Sequence, residues 1–174
     1  MQFDSAMESV TLQASDFADQ IQMTGQPLTS VTLNVVGNLN SGGVDTLTGA
    51  SMTNTWEITG ASAGRLNTNV NFAGVESLVG GTQVDTFKMM NTASSMSKLA
   101  GGSGADLLDY SQFTTPVSVN LATGAASRMS GVSGIDDVYG GAGDDILIGN
   151  RTSYDNDTVA LKTMLNDWRQ TNVS

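Results

Sequence analysis

A short Gly/Asp-rich unit recurs along this chain, and it constrains the fold more than any other feature of the sequence. Residues 72–87 match residues 132–147 at an offset of 60, and residues 43–47 match residues 104–108 at an offset of 61. In each copy, a turn of small residues is followed by an aspartate, one variable residue and a large apolar residue. Self-similarity of this length indicates stacked repeats, in which each unit packs against its neighbours.

The aspartates of the repeat predict how the units stack. Asp45, Asp85, Asp106 and Asp145 are separated by 40, 21 and 39 residues. These spacings are near multiples of about 20 residues, a usual length for one winding of a β-solenoid. We therefore expect Asp85 and Asp106 on adjacent windings, Asp45 and Asp145 two windings to either side, and the side chains stacked above one another.

The segments between the turns predict short β-strands. Residues 31–36, 55–58 and 117–121 alternate apolar and polar residues with period two, which places one face of each strand in a core. A β-sandwich has similar strands but no reason to repeat at these intervals. The predicted fold is all-β: a right-handed parallel β-helix or β-roll over residues 1–154, with repeat units of about 1–40, 41–100 and 101–150.

The C-terminal residues 155–174 depart from this pattern. Asp155 or Asp157 is a suitable N-cap, and a helical face then carries apolar residues. These are Leu161, Met164, Leu165 and Trp168. We expect a helix that either covers the last winding or joins the module to a following domain.

Composition excludes several classes of function. The chain has 7 Lys and Arg against 17 Asp and Glu, a net charge of −10, and no Cys or His. Nucleic acids and anionic lipids are therefore poor partners, and disulfides, thiolate zinc sites and a Ser-His-Asp triad are excluded. A bound metal would need oxygen ligands alone, which favours calcium or magnesium. No apolar run could span a bilayer, and the first residues lack the pattern of a signal peptide, so we expect a piece of a longer protein or export by another signal.

Two turns match the nonapeptide G-G-x-G-x-D-x-U-x, where U is a large apolar residue. They are residues 101–109 and 140–148; residues 80–88 and 40–48 are incomplete copies. Glycine permits positive φ and brings backbone carbonyls around a small hollow, while the aspartate adds negative charge. Calcium accepts six to eight oxygen ligands, so carbonyls with one or two carboxylates suffice.

The sequence leaves two interpretations of these turns open. In one, they bind calcium. The candidate carboxylates are Asp45, Asp85, Asp106 and Asp145; the candidate backbone positions are Gly101, Ser103, Gly140 and Ala142; the outer candidates are Asp109 and Asp144, with Asp136 and Asp137. In the other, glycine serves geometry alone and each aspartate accepts hydrogen bonds from backbone N–H groups, as in Asx-turns.

The chain resembles the repeats-in-toxin (hemolysin-type calcium-binding) repeat proteins, and more narrowly the large repetitive extracellular and adhesin-like proteins of bacteria such as planctomycetes. Residues 108–111, 117–124 and 140–149 carry the likeness, which covers about residues 40–150 well and the first 40 weakly. The resemblance implies secretion, commonly by a type I system, and folding promoted by calcium outside the cell. The family's nonapeptides usually stand in tandem, whereas these are 21 to 40 residues apart.

These observations favour an extracellular structural or adhesion module with calcium in its turns, and with no catalytic residues. Its expected partners are calcium ions, other copies of itself, and extracellular matrix or glycan. One alternative is a β-helical polysaccharide lyase, hydrolase or epimerase, or its accessory module, with Asp136–Asp137 and Asp144–Asp145 as paired carboxylates. Scattered basic residues and the absence of His disfavour it. A second alternative is a subunit that stacks end to end into a filament.

Overall fold

The computed structural model describes residues 9–27, 31–38, 43–93, 96 and 98–149, and all regular structure in this part of the chain is β-strand. The strands are β1 Ser9–Gln13, β2 Gln20–Gln22, β3 Thr32–Val36, β4 Thr46–Thr48, β5 Asn54–Gly60, β6 Ala63–Leu66, β7 Val70–Ala73, β8 Ser77–Gly81, β9 Asp85–Met89, β10 Lys98–Gly102, β11 Leu107–Asp109, β12 Ser118–Asn120, β13 Ala125–Ala126, β14 Val132–Ser133, β15 Asp137–Tyr139 and β16 Ile146–Ile148. The all-β prediction is confirmed over these ranges. The helix predicted for residues 155–174 lies outside them. Within the same ranges, no helix is long and apolar enough to cross a membrane.

The strands form three sheets between which the chain passes repeatedly. The first sheet has the order β1-β3-β7-β6-β5-β9-β11-β15, the second β14-β10-β8-β4-β2, and the third β13-β12-β16. From β1 to β4 and again from β8 to β11, the chain alternates between the first and second sheets. Strands from successive passages pair in parallel, so each return to a sheet adds a strand to its edge. Parallel pairing of this kind requires a crossover through another part of the fold.

A three-stranded meander interrupts the alternation. β5 pairs antiparallel with β6, and β6 with β7, through turns in which Ser62 and Asn67 have φ of 51° and 53°. β7 then pairs with β3, and β5 with β9, both in parallel. Between β3 and β9 the first sheet therefore holds three strands, whereas between β4 and β10 the second sheet holds only β8.

The number of residues between paired strands varies along the chain. Thr86 pairs with Leu107, 21 residues later, which meets the expectation of about 20. Elsewhere the step is longer and reaches 37 residues between Leu33 and Val70, because the meander lies between them. The step is also close to 20 residues between Val10 and Leu33, at 23, but the much longer steps show that it is not uniform along the chain.

The core runs between the sheets and is filled by alternate residues of the strands. In β5, Trp56 and Ile58 are fully buried, as their alternation with polar residues predicts. Trp56 stacks on Phe87 at a centroid distance of 5.7 Å and meets Phe72 edge-on at 6.0 Å. The three predicted strand segments correspond to β3, β5 and β12. Burial of these aromatic rings, together with the aliphatic side chains of the core, stabilises the fold.

Candidate functional site

Side-chain carboxylates connect successive strands of the first sheet. Asn54, Asp85, Asp106 and Asp136 lie at or directly before the starts of β5, β9, β11 and β15, and we call them the first stack. The N–H of Asn54 donates to Asp85 Oδ1, that of Asp85 to Asp106 Oδ1, and that of Asp106 to Asp136 Oδ2, each at 2.8 Å. Asp85 and Asp106 are thus adjacent, as their spacing predicts.

A second stack follows the same rule beside the second sheet. The N–H of Asp19 donates to Asp45 Oδ1, and the N–H of Asp45 donates to Glu76 Oε2, both at 2.9 Å. Asp45 Oδ2 also accepts the N–H of Asn38 at 2.8 Å. Both oxygens of Asp45 therefore receive backbone hydrogen bonds.

Asp145 belongs to neither of these stacks. Its Oδ1 accepts the N–H of Val117 at 3.0 Å, beside the third sheet. The expectation that Asp45 and Asp145 lie in one column with Asp85 and Asp106 is therefore wrong.

The cause is that the Gly/Asp unit specifies a turn before a strand but does not specify the sheet to which that strand belongs. The equivalent aspartates of the 60-residue repeat, Asp85 and Asp145, lie at or directly before the starts of β9 and β16, of which β9 belongs to the first sheet and β16 to the third. The unit therefore builds the same kind of turn before strands of different sheets.

The first glycine of each turn packs closely against the aspartate five positions later, and Gly80 and Gly101 also lie even closer to the backbone carbonyls of Gly101 and Gly134. A Cβ on that glycine would collide with the aspartate Oδ2, because a Cα hydrogen points toward that oxygen, a geometry that allows a weak C–H···O contact. The pairs are Gly80 with Asp85, Gly101 with Asp106, and Gly140 with Asp145. Gly49 stands in the same relation to Asn54, whose Nδ2 would lie 2.9 Å from the added Cβ.

The remaining turn residues stack on the preceding turn through the backbone. Gly102 has φ of +102°, and a Cβ there would collide with Gly81 O. Ser103 N–H donates to Gly81 O at 3.0 Å, and Ala142 N–H donates to Phe113 O at 3.0 Å. The glycine pattern of the nonapeptide therefore follows from the close approach of one turn to the next.

Burial raises the pKa of two carboxyl groups of the first stack, those of Asp85 and Asp106. Asp85 and Asp106 are both 0% exposed, and the Oδ2 atom of each has no hydrogen-bond partner within the part of the chain that the structure describes. Desolvation raises the pKa of Asp85 to about 6, although hydrogen bonds from Asn54 oppose the shift. Desolvation also raises the pKa of Asp106, against the hydrogen bond from the Asp85 N–H.

The hydrogen bonds of the first stack engage part of the donor set that a calcium ion between successive turns would use. Calcium takes six to eight oxygens, and Oδ1 of Asp85 and of Asp106 each accepts a backbone N–H, whereas their Oδ2 atoms accept none from the described residues. Of the outer candidates, Asp109 accepts the N–H of Ser111 in an Asx-turn at 2.7 Å, and Asp144 is exposed. Over the described ranges, no three acidic side chains gather where they could hold a metal.

Of the paired carboxylates of the enzymatic alternative, one pair lines a depression in the described surface. Asp136 and Asp137 line a depression of about 130 Å³ beside Val138 and Ile148, but Asp144 and Asp145 do not line it. Asp136 and Asp145 each accept a backbone N–H from a different strand entry.

Two members of the stacks were not predicted from the sequence. Asn54 carries a detectable signal, because Gly49 precedes it by five residues, the spacing of Gly80 and Asp85. Glu76 aligns with Asp136 in the 60-residue repeat, and both side chains accept a backbone N–H. Asn54 could have been found if amides had been admitted at the aspartate position, and Glu76 from its alignment with Asp136.

Comparison of the chain with protein-family models, with curated proteins and with solved structures found no match. Membership of the calcium-binding repeat family therefore stays a prediction from the motifs.

Proposed function

We propose that this chain is a structural module of an extracellular bacterial repeat protein, built as a right-handed parallel β-helix. One observation carries the proposal: the chain passes repeatedly between the first and second sheets, and strands from successive passages pair in parallel. Right-handed crossovers between parallel strands are strongly preferred, which sets the handedness of the proposed helix. A location outside the cell is proposed from the motif resemblance.

The chemistry of the described residues supports a structural role. The carboxylates of the stacks are hydrogen-bonded to strand entries, and the interior is filled by packed apolar side chains. A rigid module of this kind would hold neighbouring domains apart or present its acidic flanks to matrix, glycan or other copies of the chain. Its seven basic residues would give it little attraction for nucleic acid.

Removal of one complete winding tests the architecture. Deletion of residues 86–106 joins Asp85 to Leu107, which places Leu107 in the register position of Thr86 opposite Thr55. The same deletion brings β8 to β14, because Leu99 pairs with both Leu78 and Val132. In a repeat fold, stability is nearly a sum over units and their interfaces. We therefore expect a folded protein with a lower but still cooperative melting transition by circular dichroism.

The matched control deletes residues 96–106 only. This removes β10 but retains β9, so β11 would follow directly on β9 and could not reach its place in the first sheet. We expect this shorter deletion to abolish cooperative unfolding. If the 21-residue deletion is as damaging as the 11-residue one, the β-helix proposal is wrong.

Calcium binding by the turns is a second candidate function. One observation favours it: Oδ2 of Asp85 and Oδ2 of Asp106 are buried and lack a hydrogen-bond partner among the described atoms. A ligand that binds only the folded state raises Tm as its concentration increases. The calcium candidate therefore requires Tm to rise from EDTA to millimolar calcium. A flat Tm over that range excludes it.

A further inference from the structure

We infer that the aspartates of the Gly/Asp turns join neighbouring windings as backbone caps without a metal, and that asparagine can replace aspartate in this role. The inference concerns how the turns are held and goes beyond the proposed extracellular role.

The first step is the common direction of the hydrogen bonds. In both stacks, and in the separate pair of Val117 with Asp145, a side-chain oxygen accepts the N–H at a strand entry one passage earlier, over 2.8–3.0 Å. The donors include Asn54, Asp85 and Val117, so the cap depends on the acceptor and not on the side chain of the donor residue. A backbone N–H buried at a strand entry needs such a partner. An amide oxygen accepts a hydrogen bond as a carboxylate oxygen does.

The second step is that the first stack already contains an amide at the turn position, although Asn54 Oδ1 accepts from Asn67 Nδ2 and not from a backbone N–H of the described residues. Asn54 follows Gly49 at the turn spacing, and its Nδ2 lies on the side where Oδ2 of an aspartate would lie. This Nδ2 lies within hydrogen-bond distance of Met52 O at 2.8 Å, Ala50 O at 3.0 Å and Gly80 O at 3.2 Å. It is also 2.8 Å from Asp85 Oδ1. The amide is therefore surrounded by acceptors that suit its two hydrogens.

Asp85 Oδ2 has a backbone carbonyl beside it, as Asn54 Nδ2 has. Two atoms lie against the same side of Gly80: Asp85 Oδ2 and Gly101 O. In the same way, Asn54 Nδ2 and Gly80 O lie against Gly49. Here the side-chain atom is an oxygen, and it is unpartnered among the described residues. An asparagine would keep Oδ1 as the cap and would place a hydrogen donor where Asp85 has only an acceptor. The same exchange would weaken a calcium site, because it removes a negative charge.

Asparagine and alanine variants separate the two roles. Asp85→Asn, Asp106→Asn and the double variant keep the capping oxygen, whereas Asp85→Ala and Asp106→Ala remove it. Asp144→Asn is the matched control, because Asp144 is exposed and accepts none of the capping bonds described above. Thermal melting at pH 7 in EDTA, and again across a calcium titration, gives the readout.

We expect the asparagine variants to melt at or a few degrees above the parent chain in EDTA, and calcium to change no Tm. The alanine variants should melt lower by roughly 2–12 °C, because each leaves a strand-entry N–H without its acceptor. The inference is overturned if the asparagine variants lose as much as the alanine variants or do not fold. It is equally overturned if calcium raises the Tm of the parent chain and the double asparagine variant abolishes that rise. Neither result would affect the deletion test of the β-helix, so the two proposals fail separately.

Discussion

At the scale of single residues, the buried carboxyl groups link the stability of this protein to pH. A carboxyl group inside a protein favours its neutral form unless its charge is met by hydrogen bonds or cations. Asp85 Oδ1 receives two hydrogen bonds from Asn54, through N and Nδ2, but Asp85 Oδ2 receives none from the described residues. A proton can occupy Oδ2 while Oδ1 continues to cap Asn54.

This predicts that mild acid stabilises the fold through Asp85. The pKa of Asp85 in the folded protein is about 6, above its ordinary value of 3.8, so the folded state binds the proton more tightly than the unfolded state. Its contribution to stability is therefore full below about pH 4, decreases as the pH rises through 6, and is absent above that. Urea unfolding in EDTA at pH 5 and pH 7 should give a more stable parent chain at pH 5.

The Asp85→Asn variant isolates this effect from the other acidic groups. Net charge falls in size on acidification, which also changes stability, but that contribution is shared by the variant. The difference in unfolding free energy between pH 5 and pH 7 should be smaller in Asp85→Asn than in the parent chain or in Asp144→Asn. Equal pH dependence in all three proteins would contradict the assignment.

At the scale of elements, strands were predictable where apolar and polar residues alternate along the sequence and the apolar ones are buried in the core. The period-two pattern of residues 55–58 places Trp56 and Ile58 in the core, and both are fully buried in β5. The meander from β5 to β7 was not predictable in the same way. Its turns use Ser62 and Asn67 at positive φ, and Asn is among the few residues other than glycine that adopt this region readily. The sequence signal for two strand reversals is therefore weak.

The stacking of the turns was predictable only in part. Asp85 and Asp106 lie 21 residues apart with no inserted strand between them, so the repeat spacing gives their contact directly. Asp45 and Asp145 lie beside other sheets. Which sheet each aspartate adjoins depends on the lengths of the loops and meanders between the turns. The same corner unit can precede a strand of any of the three sheets. The spacing in the sequence therefore identifies where a turn lies but not which sheet the following strand joins.

At the scale of the whole molecule, some of the acidic residues that give the chain its net charge have a structural role inside the fold. A net charge of −10 suggests a surface that attracts cations or keeps the protein soluble. However, Asp45, Asp85 and Asp106 are at most 1% exposed and accept hydrogen bonds at strand entries. Part of the acidic excess therefore serves the backbone, and composition alone overstates the charge available to partners.

The difference in burial between central and outer strands predicts which strands unfold locally most easily. Strands in the middle of the sheets have partners on both sides, and Trp56, Phe87 and Leu108 there are fully buried. Among the described strands, β1 and β15 are outermost in the first sheet, and Leu12 and Tyr139 in them are 40% and 61% exposed. In a fold whose units contact only their neighbours, the ends open at a lower free energy than the centre.

Hydrogen exchange followed by mass spectrometry should therefore show a gradient along the axis of the stack. We expect the slowest amide exchange in β5, β8 and β9 and the fastest in β1, β15 and β16, after division by the exchange rates of the unfolded chain. In the variant lacking residues 86–106, protection of β5 and β8 should fall but not vanish, because each regains a partner strand from the next winding. Uniform protection of all strands would mean that the molecule opens as one unit, which would contradict the proposed β-helix of separately stacked windings.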